Sequence, residues 1–266
     1  MLLDCHVHVL GDYSKTAREA LAALDASGID RAVVMSDNPA DRPDVRANTE
    51  YVLTLARESG GRILPFVWLN PLAGDALDIL DWAKDAGIRG VKLIPDHWFP
   101  YDPPVLPVYE RIQALELPIL FHSGILWLWG DTSRQCRPAN FEILMEFPNI
   151  RFAFGHVSWP WTTECLCVIN KVRHLRRQRG LPPQQAFGDL TPGMPEQERL
   201  ATVKFALDFV GDEHLIFGTD DVVGGGGYAK NVIESYGKVF DSLNLSQETR
   251  EKVWCRNALR WLGEEG

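Results

Sequence analysis

The sequence predicts an α/β protein folded as a single (β/α)8 TIM barrel spanning residues 1–266. Three observations carry that expectation. Short runs rich in β-branched and aromatic residues alternate with longer amphipathic stretches along the whole chain, the pattern of repeated βα units around a parallel sheet. The C-terminal ends of these runs recur at intervals of roughly thirty residues, about what one strand, one helix and two loops require. A length of 266 residues suits either two small domains or one eightfold barrel, which commonly takes about 250.

The expected strands are Leu2–Val9, Arg31–Met35, Ile63–Leu69, Gly90–Ile94, Pro118–His122, Arg151–His156, Ala186–Leu190 and Leu215–Thr219. After the first, Ala17, Ala20, Leu21 and Leu24 recur at helical spacing, Thr16 and Glu19 are spaced as a capping box, and Gly28 is placed to stop the helix. The same layout follows the third strand, with Ala76, Ile79, Leu80 and Ala83 as the stripe and Gly87 as the stop. The last segment, Ser246 to Leu262, reads as a closing helix with Val253, Asn257 and Trp261 along one side. Pro100–Pro107, Leu181–Gln185 and Gly224–Gly227 are too short and too embedded to be domain linkers.

Composition narrows the function. A formal net charge of −9 argues against a general role on nucleic-acid phosphates, which calls for clustered Lys and Arg. The one basic run, Lys171–Arg179, reads as a solvated helix face. Five cysteines without paired spacing suggest neither a disulfide framework nor a cysteine-based zinc site. No apolar stretch is long enough to span a membrane, and the first residues lack the layout of a signal peptide, so a cytoplasmic protein is expected.

The side-chain period of two in the first strand puts Asp4, His6 and His8 on one face and Cys5, Val7 and Val9 on the other. The apolar set suits the helix layer, so the polar set is expected inside the barrel. Two imidazoles there need partners, and a metal ion supplies them, although hydrogen-bonded core histidines would satisfy the same pattern. His122, His156 and Asp220 close or follow the fifth, sixth and eighth strands. In a (β/α)8 barrel all these ends converge on one mouth, where active sites lie. A metal site explains the whole set better than separate structural roles do.

The ordered set Asp4-Cys5-His6-Val7-His8, Gly90-Val91-Lys92-Leu93, Phe121-His122-Ser123-Gly124, Gly155-His156, Phe217-Gly218-Thr219-Asp220 and Arg256-Asn257-Ala258-Leu259 resembles the amidohydrolase superfamily, in its amidohydrolase-related (amidohydrolase 2) branch. The resemblance spans essentially the whole chain. It implies that His6, His8, His122 and Asp220 ligate a catalytic divalent cation, zinc foremost with manganese or iron as alternatives, and one ion rather than two. It further implies that His156 is a catalytic or outer-shell histidine and that Asp220 moves the proton of metal-activated water. Lys92 is expected to face inward and pair with a substrate carboxylate or with Asp4; the alternative is a carbamylated lysine bridging two metals. Trp127, Leu128 and Trp129 after the fifth strand, Arg134 beyond them, and Trp159 and Trp161 after the sixth would wall a substrate pocket with Arg134 as an anion anchor. Asp189 and Asp221 would either tune the site or hold loop backbone.

These residues lead to an expected metal-dependent hydrolase of a small ester, lactone or amide. The alternative is a nonoxidative decarboxylase of an aromatic or unsaturated acid. A TatD-type nuclease, which calls for a glutamate where Lys92 stands, and a non-catalytic barrel rank below both. The expected partner is a small-molecule substrate, with no nucleic acid and no membrane, and self-association is compatible with the fold.

Overall fold

The protein is described by a computed structural model covering residues 1–127, 130–183, 185–225 and 227–264. Leu128, Trp129, Gln184, Gly226, Glu265 and Gly266 lie outside the described residues. All eight expected strands form: β1 Leu3–His8, β2 Arg31–Met35, β3 Ile63–Trp68, β4 Gly90–Leu93, β5 Ile119–Phe121, β6 Phe152–Phe154, β7 Ala186–Asp189 and β8 Leu215–Ile216. Each pairs in parallel with the next in sequence. A ninth, β9 Asp221–Val222, continues the course of β8 and pairs with β1. Cys5 N–H donates to Phe217 O at 2.9 Å and Asp220 N–H to His6 O at 2.8 Å, so the last strand closes the sheet onto the first.

Helices α1 Ala17–Ser27, α2 Val45–Arg57, α3 Ala76–Ala86, α4 Leu106–Ala114, α5 Thr162–Gln178, α6 Glu196–Val210 and α7 Tyr228–Ser242 form the outer layer. Between β5 and β6 the crossover is a 3-10 helix, Pro138–Glu146. The start of α1 has the capping box that Thr16 and Glu19 predict, and Gly28 ends it at φ 75°, a left-handed conformation that suits glycine.

Inside the barrel, Leu3, Cys5, Met35, Phe66, Phe187 and Ile216 pack on Cys255, Ala258 and Trp261. The closing segment is α8 Gln247–Glu251, a π turn Lys252–Arg256 and α9 Asn257–Leu262, and it plugs the N-terminal end with Val253, Asn257 and Trp261 all buried. The opposite, C-terminal end is left for chemistry.

The strict alternation expected in β1 fails at one point. Asp4 pairs with Ala32 and Val7 with Val34, so three steps on β1 meet two on β2, which is a β-bulge. Cys5 therefore joins the barrel interior. Val7 and Val9 pack with α1 as expected, and Asp4 lies on that side too, beside Val7, Ala20 and Leu24. His6 and His8 keep their inward direction because they follow the extra residue.

Candidate metal centre

Local backbone irregularity assembles the mouth. Asp4, turned outward by the bulge, accepts hydrogen bonds from His6 N–H at 3.0 Å, Thr219 N–H at 2.9 Å and Thr219 Oγ at 2.5 Å. It thereby ties the break between β8 and β9 to β1. Asp220 sits in that break at φ 60°, a left-handed conformation that swings its side chain over the mouth. Gly218 lies just before it, where a Cβ would come 2.6 Å from His6 Cβ; only glycine leaves room for that imidazole.

His6 Nε2 lies 3.2 Å from His8 Nε2 and 3.4 Å from Asp220 Oδ1, and His8 Nε2 lies 3.1 Å from the same oxygen. These three residues could hold a metal ion together. Their spacing fits a shared cation well: ligands at about 2.0–2.1 Å in a tetrahedron stand about 3.3 Å apart. The donor set agrees. Asp189 Oδ2 accepts from His6 Nδ1 at 2.6 Å, leaving the lone pair of Nε2 to face the cluster. Burial, reinforced by Lys92, holds His6 well below the ordinary histidine pKa. At Asp220 burial pushes the carboxyl up, but His6 and His8 outweigh it and hold it well below the usual carboxylate range. A lone pair and a carboxylate thus converge where a cation would sit.

Asp189 is the residue whose role the sequence left open. It sits on the inward face at the end of β7, fully buried, and also accepts from Thr191 N–H at 3.0 Å. A carboxylate behind a ligating imidazole fixes its tautomer and raises its basicity. Asp221 takes the other role, accepting from Val222 N–H and from Ala229 N–H at the start of α7.

His122 and His156 complete the wall. Their rings are 5.1 Å apart and His156 is 5.3 Å from His6. His122 Nε2 is 3.2 Å from Ile125 O and donates to it, so the expected ligand His122 stands beside the three-residue cluster rather than in it, and burial holds its pKa well below the ordinary value. His156, Val157 and Ser158 form a run of left-handed residues at φ 58°, 40° and 57°. Such a run persists only where the surroundings over-determine it. Here Gly193 lies against the His156 ring, where a Cβ would approach to 2.7 Å, and His156 Nδ1 is 3.1 Å from Pro192 O. That contact makes Nδ1 the protonated nitrogen and Nε2 the basic one.

Lys92 points inward as expected, fully buried, with Nζ 3.2 Å from His6 Nε2. Burial lowers it to about 8, while Asp220 and Asp189 keep it from falling further. The expected pairing with Asp4 does not form, because the bulge sends Asp4 to the other face. Arg134 is not gathered in: its side chain is 66% exposed and lies 3.8 Å from Asp131. Trp127 is exposed with its ring nearly parallel to Trp159 at 6.5 Å, and Trp159 donates from Nε1 to Glu198 at 2.8 Å. An apolar wall the sequence did not single out, Trp68, Ile94, Leu126 and Cys136, stands beside the cluster, with the Trp68 ring 5.7 Å from His8. It opens into a pocket of about 360 Å³ lined also by Asn38, Asn70, Asp96 and His97.

Fold and site together define a (β/α)8 barrel with a candidate metal centre at its C-terminal mouth. The chain belongs to the amidohydrolase family, whose sequence model (Amidohydro_2, described as amidohydrolase) matches residues 3–263. No curated protein matches the sequence. Among solved structures, 2,6-dihydroxybenzoate decarboxylase from Rhizobium aligns at a TM-score of 0.71 and 16% identity, over 100% of this chain and 99% of that one. An amidohydrolase from Burkholderia multivorans with bound zinc aligns at 0.71 and 17%, over 99% of each chain. A probable 2-pyrone-4,6-dicarboxylic acid hydrolase from Acinetobacter baumannii aligns at 0.65 and 14%, over 98% of this chain and 99% of that one. At such identities the likeness is one of fold.

Proposed function

We propose that the protein is a metal-dependent hydrolase of a small ester, lactone or amide. The observation that carries this is the convergence of His6 Nε2, His8 Nε2 and Asp220 Oδ1 within 3.4 Å of one another at the barrel mouth. These three, with His122 beside them, would hold one divalent cation, zinc foremost and manganese or iron as alternatives. Bound there, such a cation supplies Lewis acidity and makes hydroxide available near neutral pH.

The chain's own residues do the rest. Asp220, one-third exposed at the mouth, accepts a proton from water on its outer oxygen and returns it to the leaving group. His156 presents Nε2 to the reacting carbonyl region, its orientation fixed by Pro192 O. The Lys92 ammonium offsets negative charge developing on the substrate. The wall of Trp68, Ile94, Leu126 and Cys136 would seat the apolar part of a small molecule and exclude water from one side, and the nearly parallel pair Trp127 and Trp159 would extend that cover toward solvent.

That same apolar wall beside a buried ammonium supports decarboxylation of a planar aromatic or unsaturated acid as the second reading. Incubating metal-loaded protein with ester, lactone, amide and arylcarboxylate panels, while following acid release and carbon dioxide together, tests both. Acid release without carbon dioxide is the expected result. Carbon dioxide as the sole product would overturn the hydrolase reading.

A further inference from the structure

Strand β4 and the residues after it set two opposite charges on one side of the mouth. Lys92 lies beside His6, Ile94 stands two residues on in the apolar wall, and Asp96 follows, lining the pocket into which that wall opens. Asp96 N–H donates to Ile94 O at 3.0 Å, a tight turn that ends the strand direction and leaves the carboxylate at the pocket. Cys136 sits between the two charges, donating from Sγ to Pro95 O at 3.2 Å. Burial raises its thiol to about 12, with Asp96 adding to the rise and Lys92 opposing it.

The amide oxygens of the pocket are already engaged. Asn38 Oδ1 accepts from Ala40 N–H and Asn70 Oδ1 from Leu72 N–H, each at 3.0 Å. Asp96 and His97 supply the open acceptors. Asp96 Oδ1 accepts from His97 Nδ1–H at 2.5 Å, which leaves Nε2 of the uncharged ring as an acceptor. Among the described residues, Asp96 Oδ2 has no hydrogen-bond partner, and no lysine or arginine pairs with Asp96 or lines the pocket. The Asp96 side chain is 19% exposed, shielded from bulk water yet open to a ligand. Trp68 and Trp98 line the same pocket, and indole faces attract cations.

We propose that this pocket binds a primary ammonium group on the end of the substrate away from the reacting carbonyl, with Asp96 as the residue that determines specificity and His97 Nε2 as a second acceptor. A charge-assisted hydrogen bond to a partly buried carboxylate selects such a group over an apolar one, and the like charge of Lys92 disfavours it beside the metal cluster. The two charges therefore orient the molecule. The substrate class becomes an amine-bearing small ester, lactone or amide. That orientation rests on the hydrolase reading; the recognition of the ammonium does not.

The test uses three benzamides that differ only in the para group: 4-(aminomethyl)benzamide, 4-methylbenzamide and 4-carbamoylbenzoate. Each is titrated by calorimetry into the full-length protein at pH 7.0 and constant ionic strength, metal-loaded and again after chelation. The ammonium probe should bind at least about tenfold more tightly than the methyl probe, and the carboxylate probe most weakly. In Asp96→Asn the ammonium preference should fall to within about twofold. Ala40→Lys, at an exposed position lining the same pocket, should invert the order, and it decides the matter if Asp96→Asn does not fold. The preference should survive chelation, so it stands apart from the hydrolase reading, which acid release decides. No binding of the ammonium probe, no preference for it, a preference that disappears with the metal, or one that is unchanged in the folded variants each overturn the inference.

Discussion

The two ends of the barrel are built by opposite rules. At the closed end, regular strands meet a helical plug in which Trp261 is fully buried and packs its ring, tilted by 44°, 5.4 Å from Phe66. At the mouth, the strands bulge, break or turn left-handed at Asp4–Val7, His156–Ser158 and Asp220, and the polar side chains of His6, His8, Lys92, His122, His156 and Asp189 are buried. The difference teaches where stability and chemistry reside. The floor holds the barrel together, and the mouth is strained and polar because it converges lone pairs on one point.

The largest break in that comparison comes from removing a converging nitrogen. His8→Ala should lose bound metal and reduce turnover by at least about 10³-fold, since no other group replaces its Nε2. The circular dichroism and melting of a folded barrel should survive. Metal analysis on the purified variant checks it, and full metal occupancy would count against this ligand set.

The reverse experiment is at the floor. Trp261→Ala removes a large, fully buried ring and should cost about 3–5 kcal/mol of stability. Turnover per folded molecule should stay near wild type. Denaturant titration beside active-site counting reads both, and a loss of turnover without loss of stability would mean that the two ends are coupled.

A smaller effect tests the support behind the mouth. Asp189→Asn keeps the volume but weakens the hold on His6 Nδ1–H, so metal affinity should fall about 10–100-fold. A competitive chelator titration measures it. Unchanged affinity would show that Thr191 and the barrel wall orient the ring unaided.

The same contrast explains what the sequence discloses. The regular parts are legible: all eight strands, the α1 caps and the buried stripe of Val253, Asn257 and Trp261 follow from local periodicity. So are His6, His8 and Asp220, because strand ends share a mouth by topology. The irregular parts are not. One extra residue in β1 reverses Asp4 and removes the expected partner of Lys92, and nothing in Asp4-Cys5-His6 signals a bulge. Asp189 stands 183 positions from His6, so its hydrogen bond is invisible to any local pattern, although its place at the inward end of β7 is a usable hint. Arg134 shows the converse: a charge after the right strand end still reaches the site only if its loop turns inward.

The finest test concerns a histidine that neither end uses for chemistry. His214, buried before β8, has Nδ1 3.0 Å from Ala186 O and its ring 6.2 Å from Phe187. Burial lowers its pKa below the ordinary 6.5, with the Ala186 contact working the other way. The folded state therefore resists the proton that the unfolded chain takes up. Its contribution to stability is intact above pH 6.5 and is lost as the pH falls below it. That loss is at most about 1 kcal/mol between pH 6.5 and 5.5, from a linkage slope of about 1.4 kcal/mol per pH unit for one proton. His214→Gln can still donate to Ala186 O but cannot titrate. It should lower stability by a constant amount and flatten this acid slope, while metal content and turnover stay unchanged. Denaturant midpoints at pH 7.5, 6.5 and 5.5 decide it: an undiminished slope in the variant would assign the acid sensitivity to the mouth histidines, His6 and His122.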